Sequence, residues 1–312
     1  MKILVTGANG FVGSYFSNYL IKNGHEVIAV SRKFLPDVKE SLHQCKLIEI
    51  DILSDEFLNL KISCDAIVHL AAANDILSKN RLKGIELSTI GTYNVLKLAQ
   101  NNGIKKVLFY STLQVYGTEL KGIYNEETVL KPENDYALNH IFGEQYCEMY
   151  SRIADLSVLV LRPSNIYGEF LSIDINRWTL VPGSFMKEFK NDGTITLLSS
   201  GKQQRNFISL EQLSYSTLKG LENMTKSYDV LNLVGSEYAT IFEVANLTCQ
   251  VLDEKFSIKQ NPTVKSSNPA DKNEFEFNTE KLAQYKIDIS KTIGNYNLTS
   301  EIEKMLHKMI GS

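Results

Sequence analysis

The chain has 312 residues, 43% of them hydrophobic and 22% charged, with a net charge of −3. That length can bury a large core and exceeds the usual compact unit, so one large or two fused domains are expected. The near-neutral balance gives no electrostatic reason to expect nucleic acid or a membrane surface as partner, and no apolar run approaches the roughly 20 residues that span a bilayer. Cys45, Cys64, Cys147 and Cys249 form no CxxC pair, and the five histidines are scattered. Free thiols and no metal site follow, which suits a reducing compartment. The opening KILVTGANG has no apolar signal core or small-residue cleavage site, so a cytoplasmic protein is expected.

The elements alternate along the first half. KILVTG, HEVIAVS, KLIEID, DAIVHLAA, KVLFYS and LSVLVLRP are short, apolar and β-branched, as strands buried on both faces are. Helical stretches lie between them. Val12, Phe16, Tyr19 and Leu20 make one apolar stripe, and Val95, Leu96 and Ala99 another. Such alternation predicts an α/β fold, a doubly wound parallel sheet with helices on both sides. Beyond about residue 163 the pattern loosens. ITLLSS and VLNLVG read as strands, and 240–252 and 299–309 as helices. The C-terminal part is expected to pack as a smaller lobe, with the substrate in the cleft between.

The segment KILVTGANGFVGSYF sets Gly7, Gly10 and Gly13 between a strand and a helix. Gly7 permits the tight turn, Gly10 lets the backbone approach a pyrophosphate, and Gly13 lets helix and strand pack closely. The helix N-terminus, with Phe11 and Val12 in its first turn, then offers N–H groups and a positive dipole end to phosphates.

The GxxGxxG spacing resembles the short-chain dehydrogenase/reductase superfamily. Later motifs narrow the resemblance to its extended branch, the NAD-dependent epimerase/dehydratase family of nucleotide-sugar enzymes. These are DI at 51–52, VHLAA at 68–72, GTYNVL at 91–96, YSTLQVYG at 110–117, YALNH at 136–140, LRPSNIYG at 161–168 and QQRNFISLEQL at 203–213. The resemblance implies a Rossmann-type dinucleotide domain over 1–162 with about 207–236. It implies a substrate lobe over 163–206 and 237–312.

For the cofactor, such domains select NAD with an acid about 20 residues past the loop. Here the second strand ends in Ser31, Arg32 and Lys33 instead. A guanidinium beside a serine suits a 2′-phosphate, so NADP is expected, with NAD the alternative. The family pattern adds Asp51 and Ile52 near the adenine and Leu70, Ala71 and Ala72 along the dinucleotide.

For catalysis, the resemblance implies a tyrosine, a lysine four residues on, and a hydroxyl from an earlier loop. Thr112 and Tyr136 match the hydroxyl and the tyrosine. The lysine position is His140. Two readings of His140 stay open. It could replace the lysine, since i+4 on a helix faces Tyr136, donating to a ribose hydroxyl and, if protonated, lowering the tyrosine pKa. Alternatively the site binds NADP without turnover, as a regulatory or accessory protein.

On the substrate side the resemblance implies Gln114, Asn165, Val181 beside the nucleobase, and Arg205 as the clamp on a nucleotide-sugar pyrophosphate. Departures are Ser88 where an asparagine is usual, Asn206 and Glu211 beside the arginine motif, and Asn268 in place of a second arginine. Leu113 and Gln114 replace the acidic pair of dehydratases. The expected activity is therefore 4-epimerisation or 4-keto reduction of a nucleotide sugar by a homodimer formed through two long helices.

Overall fold

A computed structural model describes residues 1–265, 273–292 and 296–310. In chain order the first half gives β1 (Lys2–Thr6), α1 (Phe11–Lys22), β2 (Glu26–Ser31), α2 (Pro36–Ser41), β3 (Lys46–Glu49), α3 (Asp55–Leu58) and β4 (Ala66–His69). There follow α4 (Arg81–Ile85), α5 (Gly91–Asn101), β5 (Lys106–Tyr110), β6 (Gly122–Tyr124), α6 (Asp135–Ile153) and β7 (Ser157–Pro163). The second half gives β8 (Asn165–Tyr167), α7 (Gly183–Asp192), β9 (Thr196–Leu197), β10 (Gln204–Ser209), α8 (Leu210–Glu222), β11 (Tyr228–Leu233) and β12 (Glu237–Thr240). It closes with α9 (Ile241–Phe256), β13 (Thr263–Val264), β14 (Phe275–Phe277), α10 (Glu280–Gln284) and α11 (Leu298–Ile310).

The main sheet has seven strands in the order β11-β7-β5-β4-β1-β2-β3, and every pairing in it is parallel. Successive residues point to opposite faces, and each face has its own core. Ile3, Val5, Val27 and Ala29 pack with Phe16 and Leu20 of α1 and Leu213 of α8. Leu4, Ile28, Val30 and Phe109 pack with Val95 and Leu96 of α5 and Cys147 and Tyr150 of α6. The doubly wound α/β fold expected from the alternating runs is the fold observed. The chain order reverses between β1 and β4, so the loops after their C-terminal ends part and leave a crevice.

Beyond β7 a smaller sheet, β12-β10-β8, stands over that crevice. It is covered by α7, α9 and α11, whose buried Met186, Val244 and Met305 join the first core. The strand expected over ITLLSS shortens to β9, because Leu198 is exposed and Gly201 turns the chain at φ +68°. Among the described residues no helix is long and apolar enough to cross a membrane.

Candidate active site

The crevice is one cavity of about 760 Å³, and every residue singled out above for catalysis or binding lines it within the described residues. Its floor is the turn after β1. Gly7 has φ +70°, and a Cβ there would stand 2.8 Å from the amide nitrogen of Ala71. A Cβ on Gly13 would stand 2.2 Å from the Gly7 carbonyl oxygen, so only glycine lets α1 start this close to the strand. Helix α1 begins at Gly10 with no side-chain cap and no acid in its first turn. Its first N–H groups therefore face the crevice beside Gly10, Phe11 and Val12.

The opposite wall, Leu70 to Ala73, is held by side chains beneath it. Thr6 Oγ1 accepts from the Leu70 and Ala71 amides at 3.2 and 3.3 Å, so its hydroxyl proton goes to Nδ1 of His69 at 2.7 Å. The other ring nitrogen of His69 then donates to Thr92 Oγ1 at 3.1 Å, and Thr92 donates to the Ser88 carbonyl at 2.5 Å. Burial, helped by His140, holds the His69 pKa down to about 3, consistent with that neutral tautomer. Ser88 Oγ accepts the Ala73 amide at 2.9 Å, so the serine standing in the asparagine position secures this wall.

At the rim, Ser31 and Arg32 follow β2, and Asp51 and Ile52 follow β3. Arg32 is exposed. Glu49, opposite Ser31 on the neighbouring strand, is engaged with Lys39 at 2.9 Å and the Phe34 amide at 3.0 Å. Asp51 accepts the Leu53 amide at 3.0 Å.

One corner of the cavity is assembled on α6, whose first turn is capped by Asn134 accepting from the Ala137 amide at 2.9 Å. Tyr136 and His140 lie one turn apart, their rings edge to face with centroids 4.6 Å apart. Thr112, on the loop after β5, faces the same space. A buried ion pair fixes that loop to the helix. Arg162 of β7 donates to both oxygens of Glu144 at 3.0 and 2.6 Å and to the Tyr116 hydroxyl at 2.7 Å, while Ser111 donates to Glu144.

Burial drives the His140 imidazole down to a pKa of about 4; the Tyr110 carbonyl opposes the fall and the charge of Arg177 adds to it. Neither ring nitrogen meets a partner in hydrogen-bond geometry. His140 is only 4% exposed, and burial disfavours its charged form. Burial also raises the Tyr136 phenol above its ordinary 10, with the Arg177 charge and the Thr112 hydroxyl opposing and Asp75 adding.

The outer wall comes from the second half. Asn165 donates to the Asn206 carbonyl at 2.9 Å, and Asn206 is buried, bonding Gly235 in both directions. Arg205 is half-buried, and its described bond is to the Gln204 carbonyl at 3.3 Å. Burial lowers its pKa but leaves a guanidinium charged. Gln114 accepts from Asn134 at 3.1 Å, and Val181 closes the far end. Glu211 accepts instead from the Tyr15 hydroxyl at 2.9 Å. Asn268 lies outside the described residues.

A family model for the NAD dependent epimerase/dehydratase family matches residues 3–233. The chain belongs to that family. Among its relatives is a dTDP-4-dehydro-6-deoxy-D-allose reductase of a Streptomyces species, 26% identical over 279 residues and covering 84% of each chain. A putative UDP-glucose 4-epimerase of Methanocaldococcus jannaschii is 27% identical over 225 residues, 70% of this chain and 73% of that one. In fold the chain resembles the UDP-glucuronic acid 4-epimerase of Bacillus cereus, solved with NAD, at a TM-score of 0.82 and 22% identity over 99% of this chain and 96% of that one. Among the cavity residues that sequence reasoning did not single out, Asp75 and Arg177 form an ion pair of 2.7 Å. Neither sits in a motif quoted above, although Asp75 follows VHLAA by three residues.

Proposed function

We propose that this protein is an NADP-dependent reductase of a 4-keto nucleotide sugar, with Tyr136 as the acid that protonates the new hydroxyl. The observation that carries the reading is the pairing of Tyr136 in the cavity with an imidazole, rings edge to face at 4.6 Å, where the family's lysine would bring a charge; burial raises the phenol's pKa and lowers the imidazole's. At neutral pH it holds its proton, as the donor in a carbonyl reduction must. Removing a proton from an alcohol would require the ionised form, which this corner disfavours.

The cradle at Gly7, Gly10 and Gly13 is shaped for a pyrophosphate, since a Cβ on Gly7 or Gly13 would collide with backbone. Phe11, Val12, Leu70, Ala71, Ala72, Asp51 and Ile52 would flank the dinucleotide. Ser31 and Arg32 would take a 2′-phosphate. His140, neutral and with a free ring nitrogen, would bond the ribose. The nicotinamide supplies hydride when bound. Thr112 then holds the sugar carbonyl oxygen and Tyr136 protonates it. Arg205, whose described hydrogen bond is to the Gln204 carbonyl, clamps the diphosphate, with Asn165, Gln114 and Val181 around the sugar and base. In this reading residues 1–162 with about 207–236 carry the cofactor, and 163–206 with 237–312 carry the substrate. A cytoplasmic homodimer through α5 and α6 belongs to the same reading, supported by the exposed Leu138 and Phe142 on α6.

The test is absorbance at the reduced-nicotinamide band with NADPH or NADH and a series of 4-keto nucleotide sugars. Oxidation of NADPH matched to product is expected, with turnover falling roughly 10²- to 10⁴-fold in Tyr136→Phe while NADPH still binds. Interconversion of 4-epimers with no net cofactor oxidation would make the protein an epimerase instead. Tight NADPH binding with no sugar turned over would overturn the reading in favour of an accessory protein.

A further inference from the structure

The ion pair of Glu144 and Arg162 is the most deeply buried among the described residues, with 2% and 5% of the two side chains exposed. Taking both charges out of water costs so much that such a pair adds little net stability, and an apolar pair of equal volume would often serve as well. What it can supply is one fixed geometry. All three guanidinium nitrogens and both carboxylate oxygens are engaged. Arg162 donates from Nε and Nη2 to the two oxygens of Glu144 at 3.0 and 2.6 Å. Its Nη1 donates to the Tyr116 hydroxyl at 2.7 Å and to the Glu126 carbonyl at 3.3 Å. The Ser111 hydroxyl completes the set by donating to Glu144 Oε1.

The residues so joined bracket one short segment. Ser111 is the first residue after β5, and Tyr116 ends the single helical turn Leu113–Tyr116 that follows. Thr112 lies between these two anchors, with its hydroxyl accepting the Gln114 amide at 3.2 Å. The Ser111 amide donates to the Leu161 carbonyl of β7 at 2.7 Å, beside Arg162, and the Val115 carbonyl accepts the Lys131 amide at 2.8 Å. On the other side, Glu144 stands on α6 two turns beyond Tyr136, with His140 one turn from each, so the three share a stripe of the helix. Thr112, Tyr136 and His140 line the cavity, whereas Tyr116, Glu144 and Arg162 do not. The buried pair therefore touches both elements that carry the cavity's reactive hydroxyls without reaching the cavity itself.

We propose that Ser111, Glu144, Arg162 and Tyr116 form a clasp that positions the chemistry, setting Thr112 on its loop against Tyr136 on its helix. The inference rests on the roles given above to Thr112 and Tyr136, and not on the direction of the reaction. Holding a sugar oxygen while a proton is given to it, or taken from it, needs the two hydroxyls at one separation, and a misplacement of about 1 Å can cost ~10²-fold in rate. Ser111 acts through Thr112 and is a positioning residue.

The test removes one link and leaves the ion pair whole. In Ser111→Ala, Glu144 keeps both bonds from Arg162, and urea unfolding checks that the full-length variant is folded under assay conditions. Its kcat, for carbonyl reduction or for epimer interconversion, is expected to fall roughly 10- to 100-fold, with KM and the NADPH dissociation constant nearly unchanged. A double-mutant cycle then asks whether the effect passes through Thr112. Added to Thr112→Val, Ser111→Ala is expected to cost less than about a further twofold in kcat. An undiminished kcat in Ser111→Ala, a loss confined to KM, or losses that multiply in full in the double variant would each overturn the proposal while leaving the reductase reading intact. A wild type that turns over no nucleotide sugar would bring down that reading, and the catalytic role of the clasp with it.

Discussion

The two ends of the cavity are built in different ways. At the cofactor end the shape is made by backbone: Gly7 and Gly13 leave no space for a side chain, and α1 presents its uncapped N–H groups. At the Tyr136 corner the backbone is ordinary helix, and the proposed chemistry rests on side chains, Asp75, Tyr136, His140 and Arg177, brought in from separate segments. A rigid backbone cradle tolerates no added atom.

The largest expected effect is at the backbone end. Gly13→Ala sets a methyl 2.2 Å from the Gly7 carbonyl, between two backbones that cannot both give way. A loss of roughly 3 kcal/mol of stability is expected, read by urea unfolding, with NADPH binding lost in parallel. Ordinary stability and binding in that variant would show that the cradle is not closed as described.

A smaller effect, dependent on pH, is expected at the corner. His140 has its pKa lowered from 6.5 to about 4 by burial, so between those values the unfolded chain binds the extra proton. Its contribution is complete above pH 6.5 and is lost as pH falls, by roughly 3 kcal/mol at pH 4, taking ~1.4 kcal/mol per pKa unit. His140→Gln is expected to flatten the acid limb of stability by about that amount, with His69 and His25, also lowered by burial, contributing to the remaining slope. An unchanged acid limb would mean that His140 takes up its proton in the folded protein.

The backbone end was legible in the sequence for the same reason that it is rigid. Glycines at fixed spacing between a strand and a helix leave a local signature, and the apolar runs that became β1, β2, β4, β5 and β7 carried the sheet. Motif spacing also put Thr112, Tyr136 and His140 on one helix and the loop beside it, and all three line the cavity. What could not be read is what depends on pairing across the fold. Asp75 and Arg177 lie 102 positions apart and meet only because two loops converge. The neutral state of His140 depends on its burial beneath neighbours that include Phe109, with ring centroids 6.1 Å apart. Helix α8 did leave a local mark, since Ser209 and Gln212 form a capping box, but the sheet β12-β10-β8 is held by non-local pairing and left none.

The most direct test of a corner that works without lysine or imidazolium is the pH dependence of hydride transfer from NADPH between pH 5 and 8. A rate with no inflection assignable to His140, unchanged in shape in His140→Gln, is the expected result. A rate that falls as pH rises through about 6.5, and whose fall disappears in His140→Gln, would contradict the account and return the charge to the histidine.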